Sequence, residues 1–244
     1  MKILVTSLTN HRIDVQLVKW FCIGLQELGI EYTTDIEDDD CLHCIMFNGL
    51  STESSLSKLA FIADRMPVLY MYDDCDMPIP SEVKLVASQF TNAGDIYFPI
   101  AELAVLDDLW ETPINETKHF NTFYGGTYKS RRDYSVLVNN PNTLLVGNDK
   151  GWDKWDGTTR LPTIKDMNLL YHIMAMCRQT LIVHDKAHDN INMPLRAFEG
   201  VFTDTDIVWY GDTIITPKQM KVLYTKEKTL RLIKELVCNM QQQM

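Results

Sequence analysis

No stretch of this 244-residue sequence approaches the roughly 18–20 consecutive apolar residues that a membrane-spanning helix needs. The opening MKILVTSLTN turns polar too soon for a secretory signal, so the cytoplasm is the expected location and a membrane is not an expected partner. There is no Gly-x-Gly-x-x-Gly and no Gly-x4-Gly-Lys-Ser/Thr, which leaves a nicotinamide or P-loop function nothing to rest on. Cysteine is sparse: Cys22, Cys41, Cys44, Cys75, Cys177 and Cys238. Only Cys41-Leu42-His43-Cys44 has metal-like spacing. It lacks a second pair of ligands and runs into the strand-like Ile-Met-Phe, so buried structural thiols are expected. The acidic run Asp35–Asp40 lacks the glycine and closing glutamate of an EF-hand and reads as an exposed turn. Internal repeats are absent, and so is any low-complexity segment beyond Gln241–Gln243.

Positive charge is scarce in one half only. Residues 1–115 hold 6 Lys/Arg against 19 Asp/Glu, whereas residues 116–244 hold 17 against 14. The break near 115 suggests a domain boundary, and the acidic half opposes broad electrostatic attraction to DNA. Short apolar runs alternate with helical patterns, as in a parallel α/β sheet. Lys2–Thr6, Glu31–Thr34, Cys44–Phe47 and Val68–Tyr72 read as strands. Val15–Leu28 (stopped by Gly29) and Glu53–Met66 read as helices. Further on, Thr143–Val146, Thr180–Val183 and Ile207–Tyr210 read as strands, Asp133–Val138 and Ile164–Cys177 as helices, and Asn148–Arg160 as a polar loop. Pro217–Met240 reads as one long final helix.

Two places carry candidate chemistry. The first is His184–Gly200, HDKAHDNINMPLRAFEG, which reads as strand, polar loop and helix start. A helix N-terminus offers unpaired N–H groups to an anion. Arg196 adds a planar cation suited to phosphate, and Glu199, three residues on, is placed to accept bonds from a ribose diol. An ordinary surface Arg–Glu pair has the same spacing. The second is Asp73, Asp74 and Asp76, at the carboxyl end of a parallel strand, where open α/β sheets bind ligands. A carboxylate there can take the proton of an attacking hydroxyl, and it can equally be a solvated turn.

His184–Gly200 resembles the donor-site segment of the DNA β-glucosyltransferases of T-even bacteriophages. Further pieces resemble that family in the same order: the runs Tyr70–Pro78 and Tyr97–Ile100, Phe123-Tyr124-Gly125-Gly126-Thr127-Tyr128-Lys129-Ser130 and Leu145-Val146-Gly147-Asn148. Together they span roughly residues 65–215. The resemblance implies a GT-B fold: two Rossmann-like α/β domains facing across a cleft, with a C-terminal helix returning to the N-terminal domain. The domains would be residues 1–115 (acceptor side), 116–216 (UDP-sugar side) and 217–244 (the returning helix).

The resemblance implies an inverting transfer of a sugar, glucose by the family's habit, from a UDP-sugar to the hydroxyl of a hydroxymethylated pyrimidine in phage-type double-stranded DNA. It puts Asp74 on the family's catalytic Asp. Asp73 and Asp76 replace a Thr and an Arg of the pattern, which keeps Asp73 open as base and a divalent cation (Mg or Mn) open as an addition. Gly125, Gly126, Lys129, Arg131, Arg132, Gly147, Asn148, Asp189, Arg196 and Glu199 would bind the donor. Arg131 and Arg132 are interchangeable, because the loop before them is about one residue shorter. Lys129 stands where the family has an Arg. His188 is a ligand or a surface residue, and Ser7–Asn10 would face the donor sugar. The family's glutamate in the first helix is met here by Leu17. Lys150, Lys154 and Arg160, with Trp152 and Trp155 free to stack, are the DNA-binding candidates. A monomer is expected. A non-DNA acceptor and a non-catalytic nucleotide-sugar binder are the alternatives.

Overall fold

The computed structural model describes residues 2–48, 53–72, 79–81, 83–90, 94–126, 132–138, 140, 142–147, 158–185, 193–211 and 213–244. The chain forms two compact units, one from Met1–Leu106 with Thr225–Met244, the other from Asp107–Asp189 with Met193–Tyr224. Each is an α/β unit built on a parallel-rich sheet of six strands.

In the first unit β1 (Ile3–Ser7), β2 (Tyr32–Thr33), β3 (His43–Asn48), β4 (Val68–Tyr72), β5 (Leu85–Ser88) and β6 (Ile96–Tyr97) pair in the order β2-β1-β3-β4-β5-β6, every pair parallel. A central parallel strand is covered on both faces, which is why all five residues of β1 are buried and Ile3, Leu4 and Val5 run apolar without alternation. Helix α1 (Arg12–Glu27) buries Leu17, Trp20, Phe21 and Leu25, spaced at the helical period. It begins at Arg12, earlier than the sequence pattern predicts, so Asp14 lies in its first turn and only 1% exposed rather than in a polar loop. Gly29 ends it at φ +67°, with Ile30 N–H donating to the Leu25 carbonyl and Gly29 N–H to that of Gln26, a Schellman stop. Helix α2 (Glu53–Ala63) buries Leu59 and Ile62 against Leu4, Met46 and Tyr70.

The second unit contains β7 (Phe120–Gly125), β8 (Arg132–Asp133), α3 (Ser135–Val138), β9 (Thr143–Val146), β10 (Thr158–Leu161), α4 (Met167–Ala175), β11 (Cys177–Ile182), β12 (His184–Asp185), α5 (Leu195–Phe202), β13 (Asp206–Trp209), β14 (Thr213–Ile215) and α6 (Pro217–Leu223). Its main sheet runs β10-β9-β7-β11-β13-β14, parallel except for β14, while β8 and β12 form a separate antiparallel pair. From β7 the chain moves outward through β9 and β10. It then returns to lay β11 on the other side of β7, which makes the carboxyl ends of β7 and β11 the topological switch point.

Several sequence expectations are corrected, among them the helix expected over Asp133–Val138, which is only Ser135–Val138 because Asp133 belongs to β8. Thr158–Leu161 is a strand, although Asn148–Arg160 reads as a loop; on an edge, Thr159 and Arg160 stay exposed, so no apolar alternation marks it. The helix expected over Ile164–Cys177 is shorter, because Asp166 caps its start by accepting from the Asn168 and Leu169 N–H groups and Cys177 already belongs to β11. The long final helix is two helices. α6 stops at Tyr224, whose backbone is extended, and α7 (Lys226–Gln243) restarts behind Thr225, which accepts from the Lys228 N–H. α7 belongs to the first unit. There Ile233 occupies the space left by Gly24 of α1, Lys226 pairs with Glu27 at 2.8 Å, and Lys228 lies 3.6 Å from the buried Glu102. Burial raises the Glu102 carboxyl, against the pull of Lys228. Cys22, Cys41, Cys44 and Cys177 are buried as expected, but Cys238 on α7 is exposed.

Candidate functional site

At the switch point of the second sheet the chain places two glycine turns, two arginines and a buried carboxylate together. β7 ends in Gly125-Gly126. A Cβ on Gly125 would meet the Phe123 ring at 2.9 Å, so its bareness makes room for that ring, and the Arg196 guanidinium lies 3.4 Å from the same point. Gly126 N–H donates to the Val146 carbonyl (2.9 Å) and Gly147 N–H to that of Leu161 (3.1 Å), which carries the ladder past the strand ends. At Gly147, φ is +155° and a Cβ would sit 2.9 Å from the Gly126 carbonyl carbon, nearer still to its oxygen. Only glycine lets these two turns touch.

Beyond Gly126 the chain comes back as β8, which pairs with β12: Arg132 opposite Asp185 and Asp133 opposite His184. That pairing draws Arg132 to the loop following β11. Its guanidinium donates to the Tyr124 hydroxyl at 3.1 Å. Burial raises the Tyr124 phenol, with Arg132 opposing, so the hydroxyl stays neutral and holds the arginine without neutralising it.

α5 opens at Pro194, which stands at the N-cap with extended backbone; no described side chain caps the helix. Its first-turn N–H groups are the anion-binding kind. Arg196 and Glu199 pair at 2.7 Å, but not as a surface couple: Glu199 is 3% exposed, and the Arg196 side chain is 22% exposed. Arg196 also lies 5.6 Å over the Phe123 ring and donates to the Met174 sulfur at 3.4 Å. A buried ion pair repays its desolvation only when its remaining hydrogen-bonding capacity is used. Glu199 Oε2 has Arg196. Oε1 has the Tyr171 hydroxyl at 3.5 Å, long for an O–H···O bond, and retains lone pairs for a ligand hydroxyl.

Known proteins bear on this geometry. No protein-family model matches the sequence, and no curated protein matches it. Solved structures do match. T4 phage β-glucosyltransferase in complex with its UDP-glucose substrate superposes with a TM-score of 0.66 at 18% identity, over 97% of this chain and 89% of that one. The same enzyme with UDP and Mn2+ gives 0.66 at 16% identity over the same shares. An α-glucosyltransferase in complex with UDP-glucose and DNA containing an abasic site gives 0.53 at 10% identity, over 96% of this chain and 90% of that one. The fold is GT-B.

Of the residues that the sequence singles out, the GT-B chain brings together Gly125, Gly126, Arg132, Gly147, Arg196 and Glu199 at one sheet end. Arg160 is exposed in the edge strand β10, one residue before Leu161, whose carbonyl accepts from Gly147 N–H. Asp73, Asp74, Lys129, Arg131, Asn148, Lys150, Trp152, Lys154, Trp155, His188 and Asp189 fall outside the described residues. Among the described residues no group of three or more His, Cys, Asp or Glu is arranged to hold a metal ion, and no helix is long and apolar enough to cross a membrane.

Sequence reasoning missed Tyr171 and Met174, which read only as part of an apolar helix. It named Ser7–Asn10 but missed Asp14 and Lys58, which join Ser7 and Thr9 in a polar cluster at the end of β1 in the first unit. There Ser7 Oγ donates to the Thr9 carbonyl (2.7 Å), Thr9 Oγ1 to Asp14 (2.6 Å), and Lys58 Nζ to Thr6 Oγ1 (2.9 Å) and the Ser7 carbonyl (2.7 Å). Burial pushes the Asp14 carboxyl up to about 6, with the Thr9 bond opposing.

Proposed function

We propose that this chain is a UDP-sugar-dependent glycosyltransferase whose second unit binds the nucleotide. One observation carries the proposal: Gly125, Gly126 and Gly147, Arg132 and the buried Arg196–Glu199 pair converge at the switch point of the second sheet. Backbone at the glycine turns approaches the diphosphate closely, Arg132 and Arg196 bind its charge, and Glu199 accepts from the ribose hydroxyls. Lys129, Arg131, Asn148 and Asp189 complete the donor set by resemblance. The solved GT-B structures with UDP-glucose support this donor.

The chemistry we infer is a single in-line displacement. Asp74, or Asp73 beside it, takes the proton of an acceptor hydroxyl. The oxygen forms a bond to C1 of the sugar as the bond from C1 to UDP breaks, which inverts the anomeric centre. Negative charge grows on the leaving diphosphate and is met by the arginines. The acceptor we favour is a hydroxymethylated base in double-stranded DNA, read through Lys150, Trp152, Lys154, Trp155 and Arg160. A flipped base would reach the sugar. An α-glucosyltransferase of similar fold was solved with UDP-glucose and DNA containing an abasic site, which supports DNA as the partner. A small-molecule acceptor is favoured instead by the 19 acidic residues against 6 basic ones in residues 1–115. Mass analysis of hydroxymethylated DNA incubated with UDP-sugars decides between them. A divalent cation is assigned no ligand among the described residues.

The donor site is tested by heat denaturation with and without UDP. At about 100 times its dissociation constant a ligand adds about 2.7 kcal/mol, and Arg196→Ala should remove most of that gain. The substitution also strands the buried Glu199, lowering stability by itself, so the UDP-induced shift is the readout. No shift for the wild-type chain at millimolar UDP would overturn the donor site.

A further inference from the structure

Helix α4 contributes two side chains to the Arg196–Glu199 pair. Tyr171 and Met174, three residues apart, lie on one helix face. The Tyr171 hydroxyl faces Glu199 Oε1 at 3.5 Å, and the Met174 sulfur accepts from Arg196 at 3.4 Å. Tyr171 is a rigid neighbour, 5% exposed with its ring edge-on to Phe202 at 5.5 Å, and Asp166 locks the start of its helix. Burial and then the charge of Glu199 raise its phenol, so it remains a donor. A carboxylate held on one oxygen alone can rotate about its last torsion, and a hydroxyl at the other oxygen restrains that rotation.

We propose that Tyr171 is a positioning residue that orients Glu199 toward the hydroxyls of a nucleotide ribose, and so sets the preference for a ribonucleotide donor. The inference rests on the donor reading above and goes further in assigning part of the selectivity to a residue that does not touch the nucleotide.

Calorimetric binding of UDP and of 2′,3′-dideoxy-UDP to the full chain tests it, with Tyr171→Phe, Glu199→Gln and the double variant. Phenylalanine keeps the ring and its contact with Phe202. The wild-type chain should prefer UDP. Tyr171→Phe should lower that preference about fivefold, the size of one net hydrogen bond, while leaving the affinity for the dideoxy nucleotide unchanged. With Glu199→Gln already present, Tyr171→Phe should not change the preference further, because the two act through one contact. Equal losses for both nucleotides, or none for either, would make Tyr171 a core residue only and overturn the inference while leaving the donor site standing. A wild-type chain that binds neither nucleotide overturns both.

Discussion

Gly147 and Asp14 show how far single positions constrain this chain. A methyl group at Gly147 collides with backbone at Gly126, which no rotamer change relieves, and the turn at φ +155° is strained for any other residue. Gly147→Ala should cost about 2–3 kcal/mol and abolish UDP binding. Gly29→Ala has open space around it at φ +67° and should cost only about 1 kcal/mol, with UDP binding intact. Urea denaturation with and without UDP compares the two. Asp14 predicts a pH effect. Its folded value of about 6 stands above the ordinary aspartate value of 3.8, so between these the native state holds more protons than the unfolded chain. Stability contributed at this position is therefore present below pH ~4, falls as pH rises toward 6, and stays lost above it. Asp14→Asn keeps an acceptor for Thr9 and removes the ionisation. It should raise stability by about 2–3 kcal/mol at pH 7.5 and change it far less at pH 4. A gain of the same size at both values would show that the carboxyl is not shifted.

At the scale of elements, the short pieces position the site. The β8–β12 pair has two residues in each strand, yet it brings Arg132 back beside the loop after β11. The caps define the helices more sharply than hydrophobic periodicity does. Asp166 starts α4, Thr216 and Gln219 form a capping box on α6, and Thr225 separates α6 from α7. Periodicity alone reads through Tyr224, since its apolar ring fits either helix. The structure buries that ring against Phe198 at 4.9 Å instead, and the extended backbone this requires ends the helix. Thr225→Ala should remove the cap and cost about 1 kcal/mol in urea denaturation, whereas Thr225→Ser should be close to neutral.

For the whole molecule, nucleotide binding and proton abstraction are assigned to different units of the chain. Asp74 follows β4 of the first unit, and the residues proposed to contact the nucleotide belong to the second. Asp74→Asn should therefore lower sugar transfer by about 10²–10⁴-fold, the usual loss on removing a general base, and leave the UDP-induced thermal shift unchanged. Asp73→Asn should cost much less. If Asp73→Asn proves the inactive variant, the base is Asp73; if both variants keep full transfer, neither carboxylate is the base of the displacement.

Much of this was readable from the order of residues. Buried parallel stretches such as Ile3–Val5 and Val68–Met71 are continuous apolar runs because both faces are covered, and Gly29 had to stop α1 because the stop needs a positive φ. The pairing of Arg196 with Glu199 follows from helical spacing. Its burial does not: whether an i, i+3 pair is solvated or enclosed depends on which elements cover that helix face, here α4 and the end of β7, and those contacts are long-range. The same holds for Gly126 against Gly147, Arg132 against Tyr124, and the enclosed Asp14. Local sequence sets backbone preference and spacing, but the environment of a charge is made by residues distant along the chain, so only the tertiary structure decided which of these polar groups are enclosed.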